Sequence, residues 1–225
     1  MTVLYNPRII TNGLIFCLDA GNIKSYTGSG TTWTDLSSSS SVAFATLKNG
    51  PTFSNQNGGT IAFDGVDDYA DGTSIGTIAN AITLSVWVRH DTVPSATQRY
   101  LSVGATEFAV IRHDGVASAG QLHFYILTNN VFRNLRVNSQ IAINTWYNMV
   151  ATWNGTIMRL YKNGSQVGSF TPVSQPLTLS TTSYAISSPT ESLDGNIAQV
   201  SVYDRALSGD EVITNFNALR GRFGV

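Results

Sequence analysis

Asp64, Asp67 and Asp68 form the densest acidic cluster of the chain. Carboxylate oxygens gathered on a loop are the hard ligands that a calcium ion takes, so the three are candidate metal ligands. In the competing reading Asp64 caps a turn while Asp67 and Asp68 stay solvated. His90, His113 and His123 lack a ligand spacing such as His-x-x-x-His, and His113-Asp114-Gly115 reads as a turn. The glutamates are Glu107, Glu191 and Glu211, so an acid and a partner for glycoside hydrolysis would have to be assembled across the fold. Cys17 is the sole cysteine and sits in an apolar run, which excludes an internal disulfide and reads as a buried small hydrophobe. Aromatic rings on loops supply the other candidate chemistry, stacking on a sugar. Tyr26 and Trp33 lie in a long polar loop (20–41), and Tyr100 follows another. Their alternative role is to pack those loops onto the body of the protein.

The elements that must position these groups are strands. Ile82, Leu84, Val86 and Val88 alternate with Thr83, Ser85, Trp87 and Arg89, the two-residue period of a strand. Between Asn144 and Phe170, the pairs Asn154-Gly155 and Asn163-Gly164 predict three antiparallel strands joined by two-residue type I′ turns. There Tyr147, Met149, Ala151 and Trp153 share one face, and Val150 on the other implies cover on both sides. Further strands are expected near 14–19, 43–47, 60–64, 68–71, 100–103, 107–113, 121–128, 132–137, 184–187 and 195–203. One helix is expected, near 208–218. Ser208-Gly209-Asp210-Glu211 forms a capping box, Val212, Phe216 and Leu219 share a face, and Arg220-Gly221 closes it.

Composition narrows the function. The chain has 225 residues, 42% apolar, 12% charged, with a net charge of −1. That is about half the usual charge, so the surface must rely on Ser, Thr, Asn and Gly, which suits neutral ligands or packed neighbours. Without a basic run, nucleic acid is excluded as a partner. No segment approaches the roughly 20 apolar residues of a membrane span, and the start lacks the pattern of a signal peptide. The expectation is synthesis in the cytoplasm and one domain over 13–219. An N-terminal arm (1–12) and a C-terminal tail (220–225) are expected to flank it, free to dock on partner subunits or to fray.

Five blocks occur in order: Phe63–Tyr69, Ile82–Arg89, Asn144–Gly155, Leu160–Gly168 and Leu193–Val212. Together they resemble the laminin-G-like, concanavalin A-like jelly-roll family, and the opening (from Gly13) and ending blocks are most similar to versions in tailed-phage virion proteins. The resemblance implies an all-β, two-sheet antiparallel jelly-roll sandwich with one short C-terminal helix. Phe63, Trp153 and Tyr203 would fill the space between sheets, while the side covered by Trp87 stays open. It also implies that Asp194 comes near the acidic cluster and that one structural calcium is the only cofactor to consider. Where the family pattern carries acids, this chain has Ala198-Gln199, which weakens any site relying on them. Glucanases of this architecture use Glu-x-Asp-x-x-Glu, which is missing here, so no catalytic residue is expected. Three functions follow from the resemblance. The first is a non-enzymatic virion protein (head decoration, fibre or tail appendage) that self-associates, contacts other virion proteins and touches host glycans. The second is a carbohydrate-binding adhesion module outside a virion, and the third a glycosidase.

Overall fold

The computed structural model describes residues 8–38, 43–104, 109–115, 120–128, 131–138, 141–172, 178–179 and 183–225. In chain order the strands are β1 (Leu14–Asp19), β2 (Thr32–Thr34), β3 (Phe44–Lys48), β4 (Thr52–Ser54), β5 (Thr60–Asp64) and β6 (Tyr69–Gly72). They continue with β7 (Ile78–Ala79), β8 (Ile82–His90), β9 (Gln98–Val103), β10 (Ala109–Asp114), β11 (Gln121–Thr128) and β12 (Val131–Asn138). Last come β13 (Trp146–Trp153), β14 (Met158–Lys162), β15 (Ser165–Phe170), β16 (Thr178–Leu179), β17 (Tyr184–Ser187) and β18 (Asp194–Tyr203), then helix α1 (Gly209–Phe223).

Two large antiparallel sheets result, as a jelly-roll sandwich requires, and β7 and β16 pair as a small third. The first runs β15-β14-β13-β8-β18-β5-β4, and the second β12-β11-β10-β9-β17-β6-β3-β2. β18 is long enough to serve two partners along one edge, β5 through Asp194–Ile197 and β1 through Gln199–Tyr203. The core lies between the sheets. Ile82, Leu84, Val86 and Val88 meet Leu101, Ile111, Phe124 and Ile126 from the opposite sheet, all of them fully buried. The alternation that places them inward sends their neighbours outward, and there the two sheets part ways. On the first sheet α1 covers the outer face. Trp87 stacks on Phe216 and Phe223 with ring centroids 5.7 and 4.2 Å apart, and Val212 of the helix joins Val150, Tyr161, Tyr203 and Leu207 in a second apolar cluster. No helix among the described residues covers the outer face of the second sheet.

Several expectations are corrected. Tyr203 is outside the sandwich, under α1, where its hydroxyl donates to the Ile10 carbonyl and accepts from Asn215 Nδ2. The three strands of Asn144–Phe170 form, and Asn163-Gly164 turns with both φ angles positive. At Asn154-Gly155 only Gly155 is left-handed. The loop there is longer than two residues, and Asn154 Oδ1 accepts from the amides of Thr156 and Ile157. α1 begins at the expected capping box, but Gly221 lies inside it and Gly224 closes it at φ +70°. The extra turn is held by packing, since Phe223 is only 6% exposed against Trp87 and Trp146. Arg222 also pairs with Asp19 at 2.7 Å and donates to the carbonyls of Asn57 and Gly59. Residues 220–225 are therefore no loose tail. The described part of the arm is pinned as well: the Ile10 amide donates to Asn215 Oδ1, and Arg205 donates to the Asn12 carbonyl.

Candidate functional site

The outer face of the second sheet brings together side chains that are far apart in sequence. Cross-strand register sets Arg112 beside His123 and His123 beside Arg136. The two-residue period then puts Asp114, Tyr125 and Asn134 on the same face. Asp114 lies in the middle, its side chain 6% exposed, with Arg112 Nε 3.0 Å from one carboxylate oxygen and Arg136 Nε 3.1 Å from the other. His123 Nδ1 is 3.2 Å from both Asp114 Oδ2 and Arg112 Nε, and its Nε2 meets Asn134 Oδ1 at 2.9 Å. Burial alone would raise the Asp114 pKa. The hydrogen bond and charge of His123, with Arg112 and Arg136, outweigh it and bring the carboxyl down to about 2. The network continues through Glu191, which accepts from Arg112 at 2.6 Å and from Arg99 through two nitrogens at 3.0 and 2.8 Å.

These groups frame a cleft of about 260 Å³ lined by Arg112, His123, Tyr125, Phe132, Asn134 and Arg136. Phe132 is 56% exposed and meets Tyr125 edge-on, ring centroids 5.5 Å apart. The Arg112 guanidinium lies over the Tyr125 ring at 5.2 Å. A second hollow of about 390 Å³ opens on the same sheet, lined by Lys48, Asp71, Arg99, Ser102 and Tyr184 among others. The arrangement offers an exposed aromatic plate beside fixed hydrogen-bond donors and acceptors, held in place by buried ion pairs.

The acidic cluster forms a second candidate, on the turn where the chain leaves β5 of the first sheet for β6 of the second. Carboxylate oxygens of Asp64, Asp67 and Asp68 all lie within 4.8 Å of one another. Asp68 Oδ2 accepts from the Asp64 amide, but its Oδ1 is buried without a hydrogen-bond partner, in a residue 3% exposed. Burial, with Asp64 and Asp67 adding their charges, raises the Asp68 pKa. An orphaned buried carboxylate oxygen among two more carboxylates fits a divalent cation, which Asp64, Asp67 and Asp68 would hold and which would neutralise them. Asp194 pairs with Asp64 across β18 and β5, yet its carboxylate is outside that group and accepts from Thr92 Oγ1.

The three aromatics expected at a sugar-binding rim are corrected: Tyr26, Trp33 and Tyr100 are 4%, 0% and 0% exposed and belong to the core. Tyr26 donates to the Gly30 carbonyl at 2.7 Å, fastening the long loop, and the Tyr100 hydroxyl meets His90 Nε2 at 2.8 Å. Burial first, then the neighbouring His113, lowers the His90 pKa to about 3, so that ring is an uncharged core group. Glu211 is committed to the helix cap and to Arg205, and Glu107 lies outside the described residues. Ala198 and Gln199 face the α1 side of the first sheet, Ala198 against Trp87, away from the acidic turn. The second-sheet cleft was missed in the sequence because its members meet only through register. The available signal was the alternation of Arg112 with Asp114, His123 with Tyr125, and Asn134 with Arg136.

Comparisons with known proteins agree with this architecture. The sequence profile of the Concanavalin A-like lectin/glucanases superfamily matches residues 63–213. Among curated proteins, none matches the sequence. The binding domain of Paraclostridial Mosquitocidal Protein 1 superposes with a TM-score of 0.70 at 15% identity, over 92% of this chain and 52% of that one. The botulinum neurotoxin serotype D ligand-binding domain, solved with N-acetylneuraminic acid, gives 0.70 at 14%, over 92% and 51%. Domain 4 of AbnA, an extracellular arabinanase of Geobacillus stearothermophilus solved with arabinotriose, gives 0.66 at 15%, over 91% and 98%. The chain spans about half the length of the toxin binding-domain structures that it matches. At these identities the likeness is one of fold, a lectin-like sandwich.

Proposed function

The chain belongs to the concanavalin A-like lectin/glucanases superfamily, and from that premise we propose that it is a non-catalytic glycan-binding module whose ligand face is the outer face of the second sheet. The observation that carries this reading is the cleft at Phe132, Asn134 and Arg136, which no described helix covers, opposite the helix-covered sheet. A pyranose ring presents its C–H face to an aromatic plate and its hydroxyls to planar polar groups at the edge, and the cleft supplies both. Fold neighbours solved with N-acetylneuraminic acid and arabinotriose support a sugar as the ligand class. Catalysis needs a carboxylic acid that keeps its proton near neutral pH. Asp114 is instead held at about 2, and Glu191 has both oxygens engaged by arginines. A calcium ion at Asp64, Asp67 and Asp68 serves in this reading as a structural brace.

The carrier, in the same proposal, is a tailed-phage particle, with the module as a head decoration, fibre or tail appendage that self-associates and contacts other virion proteins. Support comes from the opening and ending sequence blocks and from placement: residues 10–12 and α1 lie on the first sheet, the side away from the proposed ligand face. A glycan array on the purified protein, run beside Phe132→Ala, tests the ligand face. Binding that survives the substitution unchanged, or no binding at all, rejects it. Mass spectrometry of intact particles tests the carrier, and absence of the chain from them leaves an adhesion module outside a virion.

A further inference from the structure

The charges on this face point to a narrower ligand class. Arg112 and Arg136 flank one carboxylate, Asp114, and Arg112 pairs with Glu191 as well. The charges are not evenly placed. The Asp114 side chain is 6% exposed and lies beneath the cleft, whereas that of Arg136 is 46% exposed at its edge. Among the described residues no carboxylate lines the cleft itself, while two guanidinium groups do. Arg136 touches Asp114 through Nε, and its two terminal amino groups have no other partner among the described residues. Such an edge presents paired N–H donors with the geometry of a carboxylate or sulfate. Phe132 lies on the same strand, four residues away, and lines the same cleft, so a glycan stacked on the ring can extend an acidic group to Arg136.

Resting on the glycan-binding reading, we propose that the cleft selects acidic sugars, with the carboxylate or sulfate seated on Arg136. The binding should weaken with salt, because an exposed ion pair is screened. The test is an array carrying matched neutral, carboxylated (uronic or nonulosonic acid) and sulfated glycans, probed at about 50 and 300 mM salt with the parent protein, Arg136→Gln, Arg136→Lys and Phe132→Ala. Melting temperatures check that each variant folds. The expected result is about tenfold stronger binding to acidic members than to their neutral counterparts. That gap should shrink at high salt, close in Arg136→Gln and partly return in Arg136→Lys, while Phe132→Ala loses all binding. The carboxylated and sulfated arms identify which acid is recognised. Equal binding of neutral and acidic members that Phe132→Ala abolishes would overturn acid selection and leave the glycan reading standing. A preference that survives Arg136→Gln would also overturn it. Binding to no member would remove both.

Discussion

The outer faces of the two sheets are written in the same two-residue alternation and end as opposite surfaces. On the first sheet the outward positions are Trp87, Trp146, Val150, Tyr161 and Tyr203, and a whole helix is folded back to cover them. On the second they are Arg112, Asp114, His123, Asn134 and Arg136, which pair with one another and are covered by no described helix. Burying apolar area is worth about 25 cal/mol per Å², so the first face contributes to stability. A partly buried ion-pair network adds little net stability over an apolar replacement, although breaking it is costly because a charge is left unpaired. The difference separates a face that anchors from the face proposed to bind.

The sharpest way to break the comparison is to remove its anchor. Phe223→Ala should destabilise the protein by about 3–5 kcal/mol, the range for a buried aromatic cut to alanine, and deletion of residues 220–225 by at least as much. Urea denaturation measures it, and an unchanged midpoint would mean that α1 is merely laid on the sheet.

The open face should instead betray itself by acid. The depressed pKa of Asp114 gives stability that is present above the ordinary aspartate range and lost as pH falls through about 2. Asp114→Asn should therefore cost on the order of 2 kcal/mol at neutral pH and flatten the stability curve between about pH 4 and 2. A parent-like slope in that window would mean that the network does not hold Asp114 ionised.

Much of the fold was legible in the sequence. Strand alternation and the capping box are local signals, and both the two faces of β13 and the start of α1 follow from them. The end of α1 was not legible, because Gly221 reads as a stop and only the distant Trp87 and Trp146 show why the helix runs on to Phe223. The burial of Tyr26, Trp33 and Tyr100 depends in the same way on contacts with remote strands. The acidic turn was visible because its three members are close in the chain. The cleft was not, since Arg112, His123 and Arg136 become neighbours only when three strands pair.

The turn that joins the two faces should respond to metal. Calcium at about ten times its dissociation constant would add about 1.4 kcal/mol by mass action, read as a higher melting temperature that a chelator reverses. Without metal, the raised Asp68 pKa works the other way. Its contribution is full below the ordinary aspartate range and is lost as pH rises through the folded-state value. Asp68→Asn should thus leave the metal-free protein as stable or slightly more so, and abolish the calcium response. A melting curve indifferent to calcium and chelator would remove the metal from the account.

The smallest stability effect belongs to Phe132→Ala. Because its ring is 56% exposed, the substitution should shift stability by no more than about 0.5 kcal/mol, measured by the same denaturation. A loss as large as that for Phe223→Ala would make Phe132 part of the core and erase the contrast between the faces.

Mapping a bound glycan by NMR chemical-shift changes tests the ligand face most directly. Using the strongest ligand from the array, the account predicts that the largest changes fall on Arg112, His123, Tyr125, Phe132, Asn134 and Arg136, with Trp87, Trp146 and Phe223 unmoved. Changes centred on the Asp64–Asp68 turn or on α1, with β10–β12 silent, would contradict it.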